Sequence, residues 1–402
     1  RRYGAESTSS TLTGAAIFAL AALQYQNITG WTNYADTLET AAINAWNWAD
    51  ANPNVIFSNA GFNSANPEVD DYGRTARKIC AAAYLYALTG NTIYKTFFDN
   101  NYANMHMMQW GYVYPFEDPH HDGLLYYTKN SNATTAVKNA IQNTYTSSVQ
   151  TNNGDNLPAF LNQTDAYRAY LSDQNTTWGS NQFRSVQANI FYRMNEYNLN
   201  SANTLNYANA GQAVVNWMHG VNPTAYCFLS NMGANGAEFS IPEFYHGWFA
   251  DGSPLDQNPA PGFLPGGPNP NFAPDPACSC TISPPQNQPV QKSFKAWNTS
   301  WPQNSWEITE NAIYSEAAYI RALSQNVGAG AAGCVSNLTV VANPLPSAVY
   351  QSEGELVSHS SNIQNGASVI FQSDTGVLLD YDFTVNMGGI FEAIIQSCPL
   401  PD

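Results

Sequence analysis

The sequence predicts a mainly α chain, with paired helices closing into an α/α toroid over residues 1–327, a linker over 328–333 and a small β-rich module over 334–402. Three observations carry that expectation. Apolar residues, many of them Ala, recur at helical spacing from Ser7 to about Leu323, and strand-like alternation is scarce there. The run Gly328-Ala329-Gly330-Ala331-Ala332-Gly333 has the composition of a flexible linker. Beyond it the period switches to two, with Gly and Asp turns between short apolar runs.

Taken in order, helices are expected over Thr11–Gln24, Tyr34–Ala51, Asp71–Leu88, Ala133–Val149, Asn181–Asn198, Leu205–Met218 and Thr309–Leu323. Two of these run into Asn-Pro, at Asn52-Pro53 and Asn222-Pro223. Proline lacks an N–H and bars its predecessor from the α region, so both segments must stop there. Pro254–Pro289 is too dense in Pro, Gly and Asn for regular structure yet lies inside the helical region, so a long structured loop is expected. After the linker, Val369–Gln372, Val377–Asp380 and Phe391–Ile395 are strand candidates.

Six cysteines in 402 residues are too few for a disulfide framework, and their spacing fits no zinc motif. Cys80 and Cys227 fit buried small apolar side chains, Cys278 and Cys280 share a Pro-rich loop, and a Cys334–Cys398 bridge would suit a secreted protein. Charged residues make up 11% of the chain, and 14 Lys and Arg against 30 Asp and Glu leave a net charge of -16. Surface polarity therefore rests on Asn, Ser, Thr, Gln and Tyr, which fits a secreted, extracellular or cell-surface protein. The negative field repels phosphate backbones, so nucleic acid is not an expected partner. Gly14–Leu23, the longest strongly apolar run, is about half of what a bilayer crossing needs, so no membrane span is expected. The chain opens Arg1-Arg2-Tyr3 without Met, and a preceding segment of the same gene product is expected. Sequons at Asn27, Asn132, Asn162, Asn175, Asn298 and Asn337 arise by chance in so Asn- and Thr-rich a chain, and no glycan is inferred.

Two constellations could carry chemistry. Ser305–Tyr314 sets Glu307 and Glu310 at a helix entrance beside Trp306 and Tyr314. A carboxyl against such rings is desolvated, which raises its pKa and suits a general acid, although Glu310 equally suits helix N-terminal electrostatics. Tyr245-His246-Gly247-Trp248-Phe249-Ala250-Asp251-Gly252 combines an imidazole, a carboxylate and rings, as a neutral sugar requires; it equally suits an aromatic hub anchoring the long loop. Trp110, Trp178, Trp301 and Trp306 fall in loops or at helix ends, where a ring can face a cleft. His120-His121-Asp122 lacks a third metal ligand at useful spacing, so a hydrogen-bonding loop is expected there. There is no phosphate-cradling Gly-rich motif, serine nucleophile elbow or HExxH, which removes nucleotide-dependent and common protease readings.

The order of motifs from about Ser7 to Leu323 resembles glycoside hydrolase family 9, the inverting cellulases. The Ala-rich Thr11–Tyr25, Trp46–Pro53, Ala81–Gly90, Trp178-Gly179-Ser180-Asn181 and Val215–Pro223 carry the resemblance, and Pro261–Asn269, with Gly266-Gly267-Pro268-Asn269, is its most specific part. Glu310-Asn311-Ala312-Ile313-Tyr314 is similar to the segment bearing that family's catalytic acid. The resemblance implies an (α/α)6 barrel, incomplete at its N-terminus, and an endo-β-1,4-glucanase with Glu310 as general acid. Substrate, a β-glucan polysaccharide or cello-oligosaccharides, would lie against His246, Tyr245, Trp248, Asp251, Trp178, Trp110 and Tyr314. No cofactor is required, a metal is not implied by the sequence itself, and a structural calcium is compatible with the family. Two departures stand out. The Arg that follows the family's substrate-binding histidine has no counterpart in Tyr245-His246-Gly247, and the family's base-bearing DAGD segment is absent. Asp70-Asp71-Tyr72-Gly73 is not assigned as the base, because it follows two already matched elements. The base is thus expected from residues preceding Arg1. The alternative is a non-catalytic structural or carbohydrate-binding cell-surface protein that kept the scaffold. The C-terminal part resembles a β module of secreted, polysaccharide-degrading bacterial proteins.

Overall fold

Alanine decides how the first helices meet. In the computed structural model, which describes residues 5–57, 68–151, 154–256, 258–326 and 337–395, α1 (Thr8–Tyr25) presents Ala15, Ala19 and Ala22 at zero exposure to α2 (Thr32–Ala51) and α3 (Asp71–Thr89). Small side chains let the axes approach, and α3 buries Ala81, Ala82 and Ala83 in succession, as a helix enclosed on all sides must. Ser7 caps α1 and Asp70 caps α3 by accepting from a backbone N–H in the first turn. Gly90, at φ +66°, ends α3 in the left-handed conformation that glycine adopts without steric cost.

The helical unit continues through α4 (Thr92–Asn101), α5 (His106–Trp110), α6 (Asp118–Lys129), α7 (Thr135–Gln150), α8 (Leu157–Asn162), α9 (Ser180–Glu196) and α10 (Thr204–Met218). α3 packs on α6 and α9 on α10, giving the helix pairs of an (α/α)6 barrel. Its core runs from Trp46 and Tyr94 through Phe98, Tyr127 and Tyr145 to Phe191 and Tyr207. The longer expected helices are present. α4 and α6 were not anticipated, and His120-His121-Asp122, expected in a loop, lies within α6. Proline explains the miss: at the first turn of a helix its absent N–H costs nothing, so Asp118-Pro119 starts α6 rather than breaking it. After α10 come the short parallel pair β1 (Cys227–Ser230) and β2 (Ser240–Ile241), then the long Pro-rich loop, pinned by a Cys278–Cys280 disulfide that the sequence did not announce. Cys80 is buried and Cys227 half-buried. The unit closes with α11 (Trp306–Thr309) and α12 (Ile313–Ser324). Among the described residues, no helix is long and apolar enough to cross a membrane.

The chain divides into two units, Arg1–Ala322 and Leu323–Asp402. The expected linker over 328–333, together with Cys334 and Cys398, lies outside the described residues. The second unit is a parallel coil made of β3 (Leu338–Val340), β4 (Ala348–Ser352), β5 (Glu355–Ser358), β6 (Asn362–Ile363), β7 (Ser368–Ser373), β8 (Gly376–Leu379), β9 (Thr384–Val385) and β10 (Ile390–Ile395). They form three parallel sheets, β3-β5-β8, β4-β7-β10 and β6-β9. Each strand stacks on one a full coil earlier: Val369 pairs with Ala348, 21 residues before, and Phe391 with Val369, 22 before. Alternation places Leu356, Ile363, Val369 and Phe371 inside at zero exposure. The period of two marked these strands, but nothing local in it chose stacked coils over hairpins.

Candidate active site

Glu310 sits on a break that the sequence read as continuous helix. The helix expected over Thr309–Leu323 is instead α11, one turn long, then Glu310 in extended conformation (φ -63°, ψ 132°), then α12. The reason is long-range. A continuous helix would bond the Ile308 and Thr309 carbonyls to N–H groups four residues on. Here Gly267 N–H donates to the Ile308 carbonyl at 2.9 Å and Tyr245 N–H to the Thr309 carbonyl at 3.2 Å. The Thr309 hydroxyl fixes the turn by donating to the Trp297 and Ser305 carbonyls, 2.8 and 3.1 Å away.

Glycine makes this tether feasible. A Cβ on Gly266 would stand 3.0 Å from the Ile308 carbonyl oxygen, and one on Gly267, whose φ is +103°, would stand 2.6 Å from Ser180 Oγ. The same loop is bound to the start of α9: Ser180 Oγ donates to the Pro268 carbonyl (2.7 Å), Asn181 Nδ2 to the Pro265 carbonyl (3.0 Å) and Asn181 N–H to the Gly266 carbonyl (3.0 Å). Leu264 N–H donates to Glu316 Oε1 on α12 at 2.6 Å. Burial pushes that carboxyl up to about 7, against the opposing pull of the Leu264 bond. Residues near 180, 265 and 310 are thus tied together through the backbone of the 265–268 loop.

The Tyr245–Asp251 loop joins from another side. Asn298 clasps His246, donating to its carbonyl at 3.0 Å and accepting from its N–H at 3.3 Å. His246 Nδ1 accepts from Trp248 N–H at 3.2 Å, which fixes the ring among Phe244, Trp248 and Phe249. Trp248 is 74% exposed and Asp251 is exposed, so both lie at the surface. Burial, and then the Asp251 charge, raise the carboxyl of nearby Glu243.

A cleft of about 880 Å³ opens beside this assembly, with Trp178, Tyr314, Phe116 and Tyr84 among its walls and Asp122 and Arg321 at its polar end. Glu310 adjoins the cleft rather than lining it. Burial raises its carboxyl above the usual range, and the Tyr314 hydroxyl is raised by burial and then by the Glu310 charge. The polar end is a network unforeseen from sequence. Fully buried Arg193 holds Asp118 through its two terminal guanidinium nitrogens and approaches Asp122 with Nε at 3.5 Å, while Arg321 meets Asp122 at 2.9 Å. Burial raises Asp122, yet the two guanidiniums outweigh it and keep its carboxyl low. Asp118 and Asp122 share one face of α6, but no pattern relates them to positions 193 and 321 before the helices pack.

Of the expected substrate contacts, Trp178 and Tyr314 share the cleft and Tyr245 and His246 are tied to the Glu310 segment. Trp110 does not itself line the cleft; its ring lies 3.8 Å from His106, which lies 3.4 Å from Tyr72, in a stack that adjoins the cleft-lining His120. Glu117 anchors that stack: burial raises its carboxyl, but hydrogen bonds from His120, Tyr72 and His106 outweigh this and hold it at about 2. Among the described residues there is no group of three or more His, Cys, Asp or Glu able to hold a metal ion.

A half-buried carboxyl with a raised pKa, next to a ring-lined cleft and a positioned imidazole, can donate a proton to a leaving oxygen. The family model "Glycosyl hydrolase family 9" matches residues 2–323. Among solved structures, a D468A variant of a thermostable endoglucanase from Alicyclobacillus acidocaldarius is similar at TM-score 0.63 and 17% identity, covering 80% of this chain and 56% of that one. The family 9 endoglucanase J30 is similar at TM-score 0.62 and 19% identity over 79% of this chain and 54% of its own. A Bacteroides ovatus family 9 protein gives 0.59 and 18% over 79% and 53%. The chain spans little more than half the length of these structures. No curated protein sequence matches. With four-fifths of its length matched by the family model and its helical fold shared with these endoglucanases, the chain belongs to glycosyl hydrolase family 9.

Proposed function

We propose that this chain carries the acid half of an inverting endo-β-1,4-glucanase site, with Glu310 protonating the leaving oxygen. The supporting observation is the break at Glu310, where the Gly267 and Tyr245 bonds hold a carboxyl whose pKa burial raises, beside Tyr314. A neutral acid at working pH is what leaving-group protonation requires. Trp178, Tyr314 and the His246 loop hold glucosyl units by stacking and hydrogen bonding. Trp248 and Asp251 contact the chain at the rim. Inversion also needs a carboxylate base roughly 6.5–9.5 Å away to activate water. A segment N-terminal to Arg1 in the same gene product supplies it. The reaction needs no cofactor, and the weakly charged, Asn- and Tyr-rich chain works outside the cell on β-glucan. A second reading, a carbohydrate-binding or structural surface protein, is favoured by one feature: no basic residue follows His246 in Gly247-Trp248-Phe249.

Reducing-sugar release from soluble and swollen β-1,4-glucan separates the two, measured on the full gene product with and without Glu310→Gln. The hydrolase reading expects release that the substitution lowers by at least about a hundredfold, the scale of general acid catalysis. Retention of cello-oligosaccharides without release, even with the upstream residues present, would establish the binding reading instead.

A further inference from the structure

One charge in the cleft has no countercharge. Of the charged side chains that line it, Asp118 is held by Arg193, Asp122 and Arg321 meet each other, and His120 faces Glu117. Arg77 is the exception. It is the one arginine among the described residues whose side chain makes no hydrogen bond, ion pair or ring contact. Arg74, one turn earlier on α3, is paired with Asp71 and with the Val69 carbonyl. Glu68 acts on Arg77 only through its charge, because its own two oxygens accept from the Phe57 and Val69 N–H groups at 3.0 Å. Burial pulls the Arg77 pKa down, and that charge offsets only part of the pull.

We infer that Arg77 selects for a carboxylate on the bound saccharide, so that the cleft takes uronate-bearing β-1,4-glycans in preference to neutral ones. This rests on the reading of the cleft as a saccharide site, not on the role of Glu310. Position supports it. Tyr84 and Arg321, both on Asp122, mark the polar end of the cleft. Arg77 on α3 and Tyr314 on α12 each stand seven residues earlier, two turns or about 10 Å along their helices from that end. Arg77 therefore cannot share the protein's own carboxylates, and the walls around the cleft are otherwise largely apolar, with Ala16, Ile17, Leu20, Ala317 and Ala318 among them. A guanidinium drawn partly out of water recovers the loss only from an anion. Its planar fork satisfies both oxygens of a carboxylate, whereas the third oxygen of a sulfate ester would be left against apolar walls. The chain's net charge of -16 repels any anion at long range, so the preference is made at contact and is expressed in slow dissociation rather than fast association.

Calorimetric titration of the full gene product tests this, with a cello-oligosaccharide carrying one C6 carboxylate and with the neutral methyl ester of the same compound. Measured in the Glu310→Gln background, binding is read without turnover. The carboxylate should bind about tenfold to a hundredfold more tightly than the ester, the scale of a charge-assisted hydrogen-bonded pair. Arg77→Gln should bring the two affinities together, and Arg77→Lys, a point charge without the fork, should keep part of the difference. Lys292→Gln makes the same charge change at an exposed site outside the cleft and should leave the ratio as it was. Equal affinities in the parent overturn the proposal, as does a preference that survives Arg77→Gln. A lower melting midpoint in Arg77→Gln, with both affinities falling together, also overturns it and makes Arg77 the counterion of another part of the gene product. Binding of neither compound removes the saccharide reading of the cleft as well. A lack of reducing-sugar release, by contrast, counts against the hydrolase reading alone.

Discussion

Replacing Gly267 by Ala isolates the close approach that holds the Glu310 segment. Two costs are legible. The residue sits at φ +103°, where an L side chain is strained by about 1–2 kcal/mol. The new Cβ would also stand 2.6 Å from Ser180 Oγ and 2.7 Å from Asn181 Cγ and Oδ1. Neither neighbour can retreat freely, since both are buried and donate to the Pro268 and Pro265 carbonyls, bonds worth about 1 kcal/mol each. The sum is about 3–4 kcal/mol. In urea, with a slope of about 2–3 kcal/mol/M, the unfolding midpoint of the helical unit should fall by about 1–2 M. The β module, a separate unit, should unfold as in wild type. Gly30→Ala is the control: its φ is +86° and no atom lies within 4 Å of the added Cβ, so strain alone should appear, about 1 kcal/mol. If the two substitutions cost the same, the packing of the 265–268 loop on α9 carries no energy and the tether argument fails.

Other perturbations read other parts of the assembly. Glu316, raised to about 7 from 4.5 by burial, binds its proton more tightly folded than unfolded, so its stabilising contribution is full below about pH 4.5 and is lost as pH rises toward 7. Glu316→Gln keeps an oxygen for Leu264 N–H; it should match wild type near pH 4 and exceed it by roughly 1–2 kcal/mol at pH 8, after discounting for solvent screening, as thermal melts across pH would reveal. Arg193→Met should destabilise the helical unit by about 3–5 kcal/mol, because it strips Asp118 of its paired guanidinium and leaves Asp122 with Arg321 as its remaining cation. Adding Asp118→Asn should recover part of that loss, and a double-mutant cycle in urea measures how much.

Local chemistry made most helices legible. The Ala-rich stripes of α1, α2 and α3, the stop at Asn52-Pro53, and the apolar periods of α7, α9 and α10 needed no knowledge of the rest of the chain. Shorter, more polar α4 and α6 gave no such signal: Thr92–Asn101 carries few apolar positions, and Pro119 and two histidines disguise the start of α6. Their neighbours supply the stability that their own sequences do not advertise.

At the site the division is sharper. Glu310, His246 and Trp178 could be singled out as polar groups and rings at helix ends or in loops, and the resemblance to family 9 added the Gly266-Gly267 pair and the acid role of Glu310. The break in the helix at Glu310, the clasp of Asn298 on His246, the stacking of Trp110 on His106, and the Arg193–Asp118–Asp122–Arg321 network could not. Each depends on atoms dozens of residues apart meeting within hydrogen-bond or stacking distance. A helix whose carbonyls are claimed by Gly267 and Tyr245 stops, whatever its own periodicity favours. Sequence by itself determined most of the long helices and which residues could do chemistry. The tertiary structure decided where a helix must end and which charges share a wall, because those outcomes turn on competition for backbone and buried polar groups that exists only once the chain is packed.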